Sequence, residues 1–235
     1  AMAAVLVFEL CLTMGLTRRA AGIATAFSAF GFGSLYTLHD AFTSDPLMYA
    51  LGPFVVDELL RERLAVAALA AKHGIPTITP DDPNTPELIE RLRAIGPDFL
   101  FSFYYRRMLS PALLATAKRG AFNMHGSLLP KYRGRVPVNW AIIQGERETG
   151  ATLHEMVAKP DAGRMVDQQA VPILPNDTAL EVFRKVTVAA EIVLNRALPQ
   201  LIAGTAVLAS QDLAAGSYYG GRRPDDGRID WQWPS

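Results

Sequence analysis

Cysteine is almost missing: Cys11 is the only one in 235 residues. A disulfide framework and a thiolate metal cluster are therefore excluded, and a reducing, cytoplasmic compartment fits. Excess charge of either sign is missing too, with 23 Lys plus Arg against 23 Asp plus Glu. No overall field draws the chain to nucleic acid or to an anionic membrane surface, and neither partner is expected. Repeats and low-complexity tracts are absent. Long apolar runs are scarce, with one exception. Residues 20–38 carry no charge and follow Arg18 and Arg19, and their length approaches a membrane span. Much of that run is Ala, Gly, Ser and Thr, which insert weakly, so buried strand and helix is the expectation. What the chain has in quantity is apolar residues, 50% of the total, enough for one sizeable core.

From Phe54 onward the local signals are clear. Residues 54–74 have helical spacing and close on Gly74, where a left-handed cap ends a helix. "IPTIT" (75–79) is a short strand candidate, and Asp81, Asp82 and Pro83 turn the chain. Thr85 caps a helix that starts at Pro86 and ends before Gly96. "DFLFSF" (98–103) reads as a strand buried on both faces. "SPALLATAKRG" (110–120) repeats the cap, proline, helix and glycine order, and "AFNMH" (121–125) is the next strand. Such alternation predicts a doubly wound α/β domain with a parallel sheet. The grammar then changes. "GATLHEMV" and "RMVDQQAVPI" read as a hairpin joined by "AKPDAG", and a long amphipathic helix starts at Asp177 or Thr178 and runs towards Gly204. The tail is polar and turn-rich.

Ligands of open parallel sheets bind beyond the carboxyl ends of the strands. Asn123 and His125 stand two apart at such an end, so both side chains share one face. Asp161 lies in the hairpin turn, from which a second loop could fold over them. Taken singly these are ordinary residues: a histidine after a strand is commonly a packed one, and Asp forms turns on its own chemistry.

Together, "NMHGSLLPKYRGRVPVNW" (123–140) and "KPDAG" (159–163) resemble the folate-dependent formyltransferases. The resemblance runs from about Val66 to Trp231. It implies a Rossmann-like formyltransferase fold, a mostly parallel sheet flanked by helices, with Asn123, His125 and Asp161 as the catalytic residues. Asn123 would donate to the formyl oxygen, a contribution of roughly 3 kcal/mol. His125 would carry the proton between amine and leaving nitrogen, typically worth about 100- to 10,000-fold. Asp161 would orient its ring. N10-formyltetrahydrofolate is the implied co-substrate, without a metal. Arg107, Met108, Leu109, Arg135, Val157, Ala158, Lys159 and Pro160 are the implied folate-site residues. Lys131, Tyr132 and Arg133 would meet nucleotide phosphates. "FSFYYR" (101–106), "KYRGRVPVNW" and "GRRPDDGRIDW" resemble, within the family, the branch that formylates UDP-4-amino-4-deoxy-L-arabinose in lipid A modification and polymyxin resistance.

Residues 1–60 depart from the family pattern, whose members open on a short strand and feed directly into the first helix. The expected division is a catalytic domain over residues 1–205 and a C-terminal extension over 206–235, short of the family's usual small β-barrel. A fused or associated dehydrogenase and an oligomer are both compatible with the branch. The same residues leave three other readings open. A methionyl-tRNA formyltransferase would want a basic surface, a formyltetrahydrofolate deformylase would use water in place of the amine, and an inactive fragment would bind folate only.

Overall fold

A computed structural model describes residues 27–28, 70–78, 80–105, 107–227 and 232. The helix expected from Phe54 lies outside the described residues except at its end, where residues 70–72 are helical and Gly74 turns with φ +66°. Residues 75–78 are irregular and unpaired, so the strand expected there is not formed over them.

Helix α1 (Pro86–Ile95) has the ends its sequence calls for. The Thr85 hydroxyl accepts from the Leu88 N–H, Pro86 occupies the first turn, and Gly96 closes the helix at φ +62°. Leu88, Ile89 and Leu92 form its buried stripe. The second helix, α2 (Pro111–Leu114), is a single turn capped by Ser110. It is shorter than the sequence pattern suggests, and Gly120, at φ +140°, opens the next strand instead of ending the helix.

Among the described residues, one sheet runs in the order β1 (Phe27–Ser28), β2 (Phe99–Phe103), β3 (Gly120–His125), β5 (Glu148–Glu155), β6 (Met165–Pro172). The first two pairings are parallel and the last two antiparallel. The sheet is therefore mixed, where the alternating sequence pattern implied a mostly parallel one. The reason lies in the connection after β3. There a short strand, β4 (Arg133–Gly134), leads into helix α3 (Pro137–Ile143). At 1.5 Å per residue α3 is about 10 Å long against about 20 Å for β3, and it does not return the chain to the other end of the sheet. The chain re-enters from the same end, and β5 runs antiparallel to β3. The expected hairpin then forms, as β5 and β6.

Helices cover both faces. Helix α4 (Ala179–Ala203) begins in a full capping box of Thr178 and Glu181 and ends at Gly204 with φ +71°. Its stripe of Val182, Val186, Ala189, Val193, Ala197 and Leu201 packs on Phe99, Phe101, Phe103, Phe122, Met124 and Leu153. Helix α4 is long and apolar enough to cross a membrane by composition, but this burial marks it as the core helix of the domain. Burying each Val, Leu or Phe contributes roughly 1.5–3 kcal/mol. On the opposite face α1 and α2 cover Leu100 and Ala121. A parallel pairing of β4 with β7 (Tyr218–Tyr219) ties the C-terminal segment to the loop after β3.

Candidate active site

Period-two alternation decides what β3 offers each side. Phe122 and Met124 enter the α4 core, so Asn123 and His125 face the other way, at the carboxyl end that α1 and α2 leave uncovered. The antiparallel register sets His154 opposite Asn123 and Thr152 opposite His125. A cavity of about 520 Å³ opens over this end, lined by Ser102, Asn123, His125, His154 and Asp161 together with the loops around them.

Hydrogen bonds assign the imidazole protons. His125 Nε2 lies 2.8 Å from the Tyr132 carbonyl, which can only accept, so Nε2 carries the hydrogen. The proton-accepting lone pair is therefore on Nδ1, 3.6 Å from Asp161 Oδ1. His154 Nδ1 likewise donates to the Glu155 carbonyl at 2.7 Å. Its Nε2 sits 3.3 Å from Asn123 Nδ2 and 3.4 Å from Asp161 Oδ1. When neutral, that nitrogen accepts from the Asn123 amide; when protonated, it donates to Asp161 and Asn123 loses its acceptor. The ring serves one of the two at a time.

Asp161 is the hub. Burial alone would raise the pKa of its carboxyl. The electrostatic pull of His125, the contact with His154 and the Gly134 N–H outweigh that, and hold it well below the usual carboxylate range. The Gly134 N–H donates to Oδ2 at 2.8 Å. Asp161 adopts a left-handed backbone, φ +50°, and so do Tyr104 (+53°), Tyr132 (+56°) and Val136 (+48°). These are the non-glycine residues with positive φ among the described ones, and each lines the cavity or bonds His125. Such conformations cost roughly 1–3 kcal/mol each and gather at functional sites.

Of the residues proposed from sequence, Asn123, His125 and Asp161 come together, and Arg107, Met108, Leu109, Arg135, Val157 and Pro160 line the same cavity. Ala158 and Lys159 are exposed and outside its lining. Lys131, Tyr132 and Arg133 also fall outside it. Lys131 and the Tyr132 hydroxyl both bind Glu146, at 3.3 and 2.9 Å, and Arg133 is buried. Sequence reasoning missed Ser102 and His154. Alternation within "GATLHEMV" puts Thr152 and His154 on one face, but only the β3–β5 register brings His154 to Asn123.

Residues 55–198 match the formyl transferase family, and the chain belongs to it. An N-formyltransferase from Helicobacter canadensis, solved in complex with folinic acid and dTDP-3-aminofucose, is 27% identical, with a TM-score of 0.55 over 65% of this chain and 53% of its own. Glycinamide ribonucleotide transformylase 1 from Symbiobacterium toebii is 26% identical, with a TM-score of 0.56 over 62% of this chain and 74% of its own. Phosphoribosylglycinamide formyltransferase from Bacillus halodurans is 27% identical, with a TM-score of 0.54 over 59% and 75%. The present chain thus spans about half the length of the Helicobacter enzyme.

Proposed function

We propose that this domain transfers a formyl group from N10-formyltetrahydrofolate to the primary amine of a nucleotide-linked amino sugar, with UDP-4-amino-4-deoxy-L-arabinose as the particular acceptor. The observation that carries this reading is the amide of Asn123 and the Nδ1 of His125 on one face of the cavity, linked through His154 and Asp161. Similarity to the Helicobacter enzyme, whose structure holds a folate and a nucleotide amino sugar, supports the two substrate classes.

When bound, the folate supplies an activated formyl group. Arg107, Met108, Leu109, Val157 and Pro160 would hold it, and the Arg135 guanidinium suits its glutamate carboxylates. Asn123, steadied by neutral His154, presents its second amide hydrogen to the formyl oxygen, where negative charge grows. His125 takes the amine's proton at Nδ1 as the new nitrogen–carbon bond forms, and returns it to N10 as the old bond breaks. Asp161 stays ionised and balances the imidazolium between those two moments.

The test is a transfer assay with formyltetrahydrofolate and a panel of acceptors. Formylation of the UDP-amino sugar, with little on glycinamide ribonucleotide or methionyl-tRNA, is the expected result. The Symbiobacterium and Bacillus likenesses favour a second reading, a glycinamide ribonucleotide acceptor, which the same panel decides. Release of free formate without any amine would mean hydrolysis and sink the transfer mechanism.

A further inference from the structure

The turn that carries Asp161 is held from a part of the chain beyond the matched family segment, which ends at residue 198. After α4 the chain returns to the sheet, pairing Ala209 with Met165, and passes under that turn. There Gln211 Nε2 donates to the carbonyls of both Asp161, at 3.0 Å, and Gly163, at 2.6 Å. Two carbonyls facing one group admit only a donor, which fixes the amide orientation. Its Oε1 is buried with no partner among the described residues, so the side chain keeps this pose at a cost that the two bonds must offset. Gly163 has no room for a side chain, since a Cβ there would fall 2.0 Å from the Glu155 carbonyl oxygen. The turn therefore sits tight against β5 on one side and Gln211 on the other. Between them Asp161 holds its left-handed backbone, with the carboxylate between two imidazoles.

We propose that Gln211 is a positioning residue: its amide clamps the Asp161 turn so that the carboxylate faces His125, and the segment after α4 thereby completes the active site. The proposal rests on the formyl-transfer reading for its kinetic test but not for its spectroscopic one. Gln211→Glu keeps the size and turns the donor into an acceptor, and Gln211→Leu removes the polar group. Both are compared with Thr205→Ala, which loosens the same segment at its start. In the Gln211 variants kcat should fall about 10- to 100-fold, with both KM values within about twofold. By 13C NMR the Asp161 carboxyl should titrate closer to the ordinary carboxylate range than in the wild type. Gln211 variants no slower than Thr205→Ala would overturn the proposal. So would a fall in kcat with the Asp161 signal unmoved, which would place the effect elsewhere. If the wild type transfers no formyl group, the proposed function fails and the carboxyl titration still decides the role of Gln211.

Discussion

The two faces of the sheet use the same three strands for opposite purposes. Towards α4, β2 sends Phe99, Phe101 and Phe103, β3 sends Phe122 and Met124, and β5 sends Ala151 and Leu153, all buried. Towards α1, β2 and β3 begin apolar, with Leu100 and Ala121, and become polar at their carboxyl ends, through Ser102, Asn123 and His125, while antiparallel β5 sets Thr152 and His154 beside them. The aromatic face is non-directional and tolerates any close packing, as in the tilted and stacked rings 5.7–6.3 Å apart around Phe101. The polar face tolerates little, since each buried donor or acceptor needs its own partner. Thr152 Oγ1 alone donates to the Ser127 carbonyl and accepts from Leu129 N–H and Gln168 Nε2. One face holds the domain together, and the other spends that stability on chemistry.

Substitutions on either face test the division. The largest effect is expected at His125→Ala, with kcat down about 100- to 10,000-fold while denaturation stays cooperative; retention of more than a tenth of wild-type turnover would remove His125 from the mechanism. Next comes Phe101→Ala on the other face, expected to cost about 3–5 kcal/mol in urea unfolding because it opens a cavity among the rings of Phe99, Phe103 and Phe122. A cost under about 1 kcal/mol would mean that the core repacks and the contrast between faces is overstated. His154→Phe sharpens the contrast within the polar face: an aromatic ring is kept and the acceptor for Asn123 is lost. Here kcat should fall roughly tenfold, about 1.4 kcal/mol, and stability by about 1–3 kcal/mol because the Glu155 carbonyl and the Asn123 amide lose their partner; unchanged kcat would show that Asn123 needs no such support. The last effect is a pH-dependent one at Asp161→Asn. Folding lowers the pKa of Asp161 below its ordinary value of 3.8. Its ionised form therefore stabilises the native state above pH 4, and that contribution is lost as pH falls through the native value. The variant should be about 1.5 kcal/mol less stable than wild type at neutral pH, with the gap narrowing below pH 4. A gap that widened in acid would contradict the sign.

Much of this was legible beforehand because helix ends are local. Thr85, Pro86, Gly96, Thr178 and Gly204 act within one turn of their own positions, so their roles could be read without a structure. Asn123 and His125 could be placed on one face for the same reason. The direction of β5 could not, since it depends on which end of the sheet the long connection after β3 returns to. His154 and Gln211 were invisible because their partners lie 31 and 50 residues away, set by register and by the return of the tail. The exposure of Ala158 and Lys159 follows from how the β5–β6 turn leans, again a tertiary matter.

The pairing of Arg133 and Gly134 with Tyr218 and Tyr219 also orders events in time. A Cβ on Gly134 would lie 2.1 Å from the Tyr219 carbonyl oxygen, so the two backbones meet directly. A ribosome adds roughly 5–20 residues per second, and β7 is made roughly 60 residues after Asp161, a lag of about 3 to 12 seconds. Within that lag α4 and Gln211 are also made, and until β7 follows them the loop that supplies Gly134 to Asp161 has no strand to lean on. A chain stalled before Tyr218 would carry every group of the proposed chemistry and no closed site in which to perform it.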